Sequence, residues 1–478
     1  MRKHWYKIIV LLILMFIFLT LRFYNIDQSL FFWNDMGRDL SVLQQWQSTG
    51  KPPLLGPQTS ALPINQSAIY FYLLYPAFLL LNGHPIANLI TLAFLYIVVF
   101  LVSLYLVKRF KIPIPISQII VIFFLTGIHP QYIIQGRFVW NPSFVTPFLI
   151  VAFYSFYLLL IKFSWNKLII FSLAIATAIS LSYSVAPLLI AVFIYWLLFY
   201  RQHFFKFFFS LTMAFVLLNI TTIAFEFRHD FLLTTSLFTK QVPVQESITF
   251  LDKTTKLSDF IFITGNSSLN LCLFILMLFA CLATLYKFRH SRKSVQFLSS
   301  FLLLTLTFIA YLTPVTVQPH YIFGYAALLF ILIASQPPVR ITFLLLIASI
   351  LYLNPSQLNF HFRPAPRTYS QMQQCFQNYC SQLKSSTFVS VQSSFHFFHN
   401  GPEHRYLMRQ SGCRVLDIET QNSQTNTMSV ILDNGSFDDK TNYYELELFG
   451  KFKQSDSFNC LPNFSILTLE KISTNIQN

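Results

Sequence analysis

The sequence predicts an α-helical polytopic membrane protein of about eleven spans with a small α+β domain at its C-terminal end. Three observations predict it. Of the 478 residues, 54% are hydrophobic and 11% charged, against roughly a quarter charged in a soluble domain. Apolar runs of about 20 residues, the length that crosses a bilayer, recur along roughly the first three quarters of the chain. Basic residues gather in alternate connectors between those runs, as expected when every second connector faces the cytoplasm. The same composition excludes intrinsic disorder and an ordinary soluble globule.

In chain order the runs fall at 7–24, 86–107, 116–135, 143–161, 168–183, 185–200, 207–225, 269–286, 295–313, 320–335 and 340–355. Alternate connectors hold Arg2, Lys3 and Lys7; Lys108, Arg109 and Lys111; Lys162 and Lys167; Arg201 and Lys206; Lys287, Arg289, Arg292 and Lys293; and Arg340, with no acid among them. Elsewhere bases and acids balance, so the net charge of +15 belongs to one side of the membrane. The positive-inside rule makes that side cytoplasmic, and topology accounts for the charge without a nucleic-acid partner. The basic start resembles that of a signal peptide, yet no small-residue cleavage site follows the apolar run, so a retained anchor is expected. The stretch 67–82 is shorter and contains Pro76; counted as a span, it would put Lys108, Arg109 and Lys111 outside. It reads as a re-entrant or interfacial helix, with Tyr70, Phe71, Tyr72 and Tyr75 suited to an interface.

From about residue 356, Asn, Gln and Ser rise and acids return, which marks a separate water-soluble domain. The odd span count places it outside the plasma membrane, with the amino terminus cytoplasmic. Its pattern predicts helices at 369–384 and 403–410, and strands at 387–391, 415–418, 428–432, 443–449 and 465–470. The expected division is a membrane module over 1–355, whose first outer loop runs from 25 to 66, and a soluble domain over 356–478. Cys272 and Cys281 lie in an apolar span, where thiols behave as small hydrophobes. Cys375, Cys380, Cys413 and Cys460 suit two disulfides in an oxidising compartment, with three connectivities open. Their spacing fits no usual zinc knuckle.

Ionisable residues inside a membrane are pointers to function. Within 1–355 the acids are Asp27, Asp35, Asp39, Glu226, Asp230, Glu246, Asp252 and Asp259, all expected in outer loops. Coupled transporters place carboxylates or broken helices at the midplane, which argues against that class here. The first outer loop concentrates the chemistry: Trp33, Asn34, Asp35, Met36, Gly37, Arg38 and Asp39 precede a helical stretch to Trp46. Asp35 and Asp39 share a helix face with Arg38 beside them, so the guanidinium can hold one carboxylate ionised while both face a common ligand. Helix capping explains the same residues equally well, with Asn34 as N-cap and acids in the first turn.

At the outer end of the third span lie Gly136, Arg137, Phe138, Val139, Trp140, Asn141 and Pro142. There an Arg can grip a phosphate through two bonds and a Trp can stack on a sugar ring. Both residue types also favour the headgroup zone as plain anchors. His129 and Tyr183, near other outer span ends, read as residues that satisfy local hydrogen bonds. No nucleotide-binding glycine loop and no metal motif appear. The oxygens of Asp35 and Asp39 can hold magnesium or manganese without fixed spacing, but no obligatory metal or other cofactor is expected.

The run LRFYN at 21–25, then Asp35, Arg38, Gly50, Pro52, Pro53 and the aromatic run 69–75 together resemble the first outer loop of GT-C glycosyltransferases. The likeness is to the family 39 group, described as dolichyl-phosphate-mannose-protein mannosyltransferase-like, and to the lipid A aminoarabinose transferase group. It covers roughly residues 1–355 and extends to span count and orientation. It implies a membrane glycosyltransferase that passes a sugar from a polyprenyl-phosphate-linked donor to a lipid, glycan or protein acceptor on the outer face. Asp35 matches the family's first-loop aspartate, which acts as general base on the acceptor hydroxyl or orients it. Many relatives read Asp-Glu at this point; here Met36 replaces the Glu, and Asp39 one turn on is the candidate substitute. Arg38, Asp39, Arg137, Trp140, His320 and Tyr321 are the expected substrate-binding residues. His320 and Tyr321 follow Gln318 and Pro319 where relatives carry a basic residue and a Tyr at the outer start of a late span. A histidine is a weaker phosphate clamp than an arginine, being largely neutral above about 6.5. The alternatives from other classes are a non-catalytic transporter of lipid-linked sugars and a scaffold that binds envelope polymer.

Overall fold

Proline placement and the length of the apolar runs decide how the helices of this chain divide. The computed structural model describes residues 2–30, 32–59, 64–239, 249–312, 318, 320, 322–336, 362–393, 401–437 and 443–472, with side chains from residue 9. Five apolar stretches are long enough to cross a bilayer: Ile9–Ser29, Ile86–Arg109, Asn141–Ile161, Ser267–Lys287 and Val295–Leu312. Two more are bent helix pairs, Ile116–Ile128 with Pro130–Arg137 at 63°, and Phe204–Leu218 with Ile220–Arg228 at 66°. The first bend falls at Pro130, which lacks the N–H that would continue the helical ladder. The second falls at Asn219, whose Nδ2 donates to the Phe215 carbonyl at 2.9 Å and to Ser180 Oγ at 3.1 Å.

By length and apolarity the described residues hold five spans, or seven if each bent pair is one, against the expected number of about eleven. The difference lies in short helices. The runs 168–183, 185–200 and 320–335 fall on Trp165–Leu181, Ala186–Phe199 and Ile322–Ser335, of 17, 14 and 14 residues. At 1.5 Å per residue these reach only about 21–26 Å, short of a hydrocarbon core of about 30 Å. The run 340–355 lies outside the described residues. The stretch 67–82 contains a 12-residue helix, Ile69–Leu80, with Pro76 inside it. The chain is a multi-pass membrane protein.

Contacts divide the chain into two units, Met1–Tyr24 with Pro52–His361, and Asn25–Lys51 with Phe362–Asn478. In the first, Val145–Ile161 packs along Trp165–Leu181, which packs in turn on Phe204–Leu218, while Val295–Leu312 lies against Ile322–Ser335. Every residue of Ile322–Ser335 is buried, as a helix apolar on all faces requires. Trp196 stacks on Phe207 with ring centroids 4.3 Å apart.

The second unit is α+β. Its four-stranded sheet runs in the order Phe388–Ser393, Thr427–Asp433, Phe464–Lys471, Phe452–Leu461. The first pair is parallel, and the helix Pro402–Gln410 lies in the crossover that a parallel pair needs. The other pairs are antiparallel. Phe388, Met428, Val430, Phe449 and Leu469 are buried in its core. The helix Tyr369–Gln382 opens on a capping box of Thr368 and Gln371, and disulfides Cys375–Cys460 and Cys380–Cys413 tie it to the last antiparallel pair and to the turn that follows the crossover helix Pro402–Gln410.

Three local expectations change. Residues 443–449 are not a strand: Tyr444–Phe449 is helical, with Leu446 and Phe449, three apart, both buried, and Gly450 at φ 83 following its last residue. Alternating Glu and Leu has a period of two in sequence, but burial at a spacing of three is what the core selects. Residues 415–418 make a single bridge, Val415 to Thr387. The strand Phe452–Leu461 was not foreseen; it lies at the sheet edge and is largely exposed, so it carries no apolar alternation to read.

The two units also differ from a linear division near residue 356. Residues 25–51 group with the C-terminal part of the chain, and the helix Asp35–Thr49 packs against Pro402–Gln410. Met36, Leu40 and Leu43 form a fully buried stripe along it, the kind of apolar face that obliges a short helix to find a partner surface.

Candidate active site

The helix Asp35–Thr49 starts at Asn34, whose φ of 30 lies in the left-handed region, and ends at Gly50, where φ is 66. Asn34 occupies the N-cap position without a side-chain capping bond. Its backbone N–H instead donates to Glu403 Oε2 at 3.2 Å. In the first turn Arg38 bridges the two acids. Its Nη1 lies 2.6 Å from Asp35 Oδ1, and its Nε and Nη2 reach Asp39 Oδ1 at 2.9 and 2.8 Å. The two carboxylates differ in access: the Asp35 side chain is 22% exposed and that of Asp39 fully buried. A guanidinium thus fills the place between them that a shared cation would take. Among the described residues no group of three or more His, Cys, Asp or Glu is arranged to hold a metal ion.

The other candidate residues lie in the membrane unit. Arg137, at the end of Pro130–Arg137, is buried and donates to the carbonyls of Arg22 at 2.9 Å and Tyr24 at 3.1 Å. Those carbonyls belong to the end of the first helix, Arg2–Phe23, so Arg137 satisfies groups a helix terminus leaves open. Trp140 follows three residues on. Its Nε1 donates to Gln135 Oε1 at 2.6 Å, and its ring meets His320 edge to face with centroids 4.9 Å apart. The structure therefore brings Trp140 and His320 together, as it brings Asp35, Arg38 and Asp39 together. Tyr321 lies outside the described residues. His129 Nε2 bonds the Ile261 carbonyl at 2.9 Å, and the Tyr183 hydroxyl donates to the Asn65 carbonyl at 2.9 Å, so each bonds a backbone carbonyl distant in the chain.

Two residues stand out that sequence reasoning did not assign. Arg22 is buried, and its guanidinium donates to the carbonyls of Phe18, Gly127, Thr126 and Tyr132 at 3.0 to 3.4 Å. The signal for it was an arginine closing an apolar run. Glu403 is 3% exposed; as an acid in the first turn of a surface-patterned helix it carried no signal of burial. Burial pushes its carboxyl above the usual carboxylate range, against the pull of His404 beside it and of the Asn34 N–H.

No family model matches the chain, and no curated protein matches it. Solved structures do. ArnT from Cupriavidus metallidurans in the apo state aligns with a TM-score of 0.63 at 9% identity, covering 99% of this chain and 99% of that one. The same protein bound to undecaprenyl phosphate aligns at 0.61 and 10% identity, covering 97% and 98%. An oligosaccharyltransferase from Archaeoglobus fulgidus, in complex with Zn and sulfate, aligns at 0.48 and 14% identity, covering 85% and 62%. The chain shares the fold of the ArnT structures over 97–99% of its length, in agreement with the resemblance read from the first outer loop.

Proposed function

We propose that this protein is a membrane glycosyltransferase that moves a sugar from a polyprenyl-phosphate-linked donor to an acceptor at the outer face of the plasma membrane. The observation that carries the reading is the Asp35 carboxylate, which solvent reaches, in the first turn of the helix after the first span, in a fold whose ArnT counterpart binds undecaprenyl phosphate. Arg38 engages Asp35 Oδ1 and leaves Oδ2 to accept the proton of an acceptor hydroxyl. The acceptor oxygen then bonds to the anomeric carbon as the bond from that carbon to the phosphate oxygen breaks. Polyprenyl phosphate leaves with the electron pair. Asp39, buried against Arg38, is assigned the anchoring of that guanidinium.

For the donor we assign Trp140 and His320, an aromatic face beside an imidazole, to the sugar and phosphate, with Tyr321 alongside in sequence. Arg137 is assigned to hold the turn that presents Trp140. The two disulfides in the second unit support an extracytoplasmic location, since such bonds persist in oxidising compartments.

The test is transfer of radiolabelled sugar from a panel of polyprenyl-phosphate donors by the purified protein in lipid. Wild type is expected to transfer from at least one donor, and Asp35→Asn to lose about 100-fold or more in turnover with donor KM retained. Counterflow of intact lipid-linked sugar without transfer from any donor would replace the enzyme with a transporter.

A further inference from the structure

Asp35 is flanked by two contacts to a single residue of the C-terminal unit. On its N-terminal side, the Asn34 N–H donates to Glu403 Oε2 at 3.2 Å. On its C-terminal side, Gly37 lies so close that a Cβ on it would sit 2.3 Å from the backbone N and Cα of Glu403. Only a residue without a side chain permits that approach. Just ahead of the turn, Phe32 meets the rings of Tyr369 and Tyr406 edge to face, with centroids 5.7 and 5.9 Å apart. Asn34, between these contacts, has φ 30 and ψ −97, a backbone state that persists only where its surroundings hold it.

Glu403 is itself braced. His404 Nε2 lies 3.7 Å from Glu403 Oε1 and 3.6 Å from Asp433 Oδ2, and Arg367 forms a two-pronged pair with the same Asp433 at the end of the strand Thr427–Asp433. A line of contacts therefore runs from the sheet through Asp433, His404 and Glu403 to the peptide before Asp35. A carboxylate so deeply buried is costly to keep, and an apolar side chain would fill the same space. What the carboxylate adds is a directional acceptor at one backbone N–H.

We propose that Glu403 is a positioning residue for transfer: it fixes the peptide Asn34–Asp35, and so the direction in which the Asp35 carboxylate is presented to the acceptor. This rests on the function proposed above. A small misplacement of a reacting group lowers the rate while substrate binding survives.

Two measurements on the full-length protein in lipid test it. The first is hydrogen exchange across residues 32–38 without substrate. Exchange there is expected to rise about tenfold or more in Glu403→Ala and to stay near wild type in Glu403→Gln, whose amide oxygen still accepts from Asn34. The second is transfer kinetics. Glu403→Ala and Gly37→Ala are each expected to lower turnover about tenfold or more with donor KM within about twofold of wild type, and Glu403→Gln to recover most of the loss. Gly37→Ala alters no charge and gives an arm independent of the buried carboxylate. Unchanged exchange in Glu403→Ala overturns the proposal, as does wild-type turnover in Gly37→Ala or equal loss in Glu403→Ala and Glu403→Gln. A wild-type protein that transfers no sugar, yet shows the expected exchange, overturns the glycosyltransferase reading while leaving the placement of Asp35 by Glu403 intact.

Discussion

Asp433 shows how a single buried acid sets the pH response of its surroundings. Burial alone raises its pKa, but the His404 imidazole beside it and the charge of Arg367 outweigh burial and hold the carboxyl below its ordinary 3.8. A lowered folded value means that the stabilisation is fully present above 3.8 and is lost as pH falls through the lower folded value. Glu403 has the opposite sign. Its raised value makes folding take up a proton above the ordinary 4.5, so its contribution to stability declines as pH rises through that window. Exchange protection of the strand Thr427–Asp433 is accordingly expected to weaken progressively as pH falls below the ordinary 3.8 in wild type, and Asp433→Asn to lower protection at neutral pH and flatten the acid response. Equal acid profiles in the two proteins would remove Asp433 from this role. At the same scale, Asp35 and Asp39 look alike in sequence, and access alone separates them.

Among the elements, the two arginines exchanged between the first helix and the bent pair carry the clearest consequence. The helix Ile116–Ile128 ends before Pro130, which leaves carbonyls without N–H partners inside the membrane unit. Arg22 supplies donors to Thr126, Gly127 and Tyr132, while Arg137, from the far side of the bend, supplies donors to the carbonyls of Arg22 and Tyr24. Gly136 leaves the space: a Cβ there would stand 3.0 Å from Arg22 Nε. Arg22→Ala strips several buried acceptors at once and is expected to cost about 2–4 kcal/mol, seen as a lower thermal midpoint in detergent. Arg22→Lys should recover only part, because an ammonium cannot present a planar fork to carbonyls from two helices. An unshifted midpoint in Arg22→Ala would show that the exchange does not hold the bend.

For the whole molecule, the orientation in the membrane is the property to test. The charge bias of the connectors predicts Lys111 in the cytoplasm, and we propose that the disulfide-bonded unit that contains Lys451 lies outside. With Cys272 and Cys281, the two cysteines outside disulfides, replaced, a cysteine introduced beside Lys451 is expected to react with a membrane-impermeant reagent in intact cells. One beside Lys111 should react only after permeabilisation. Labelling beside Lys111 in intact cells would mean that the helix Ile69–Leu80 belongs to a span and that everything after it is inverted.

The sequence by itself determined the membrane class, the position of most helices, the boundary near which soluble composition begins, and the place of Asp35 after the first span. These properties are local: apolar length, charge bias and short motifs are written along the chain, and lipid or water reads them segment by segment. The tertiary structure decided which cysteines pair, which of two acids four residues apart is buried, and which part of the chain holds the helix that carries them. Arg22 meets Gly127 across 105 residues, and Asn34 meets Glu403 across 369. Nothing near either residue in sequence specifies such a partner, because burial and hydrogen-bond satisfaction are set by whichever surface closes over a group when the whole chain packs.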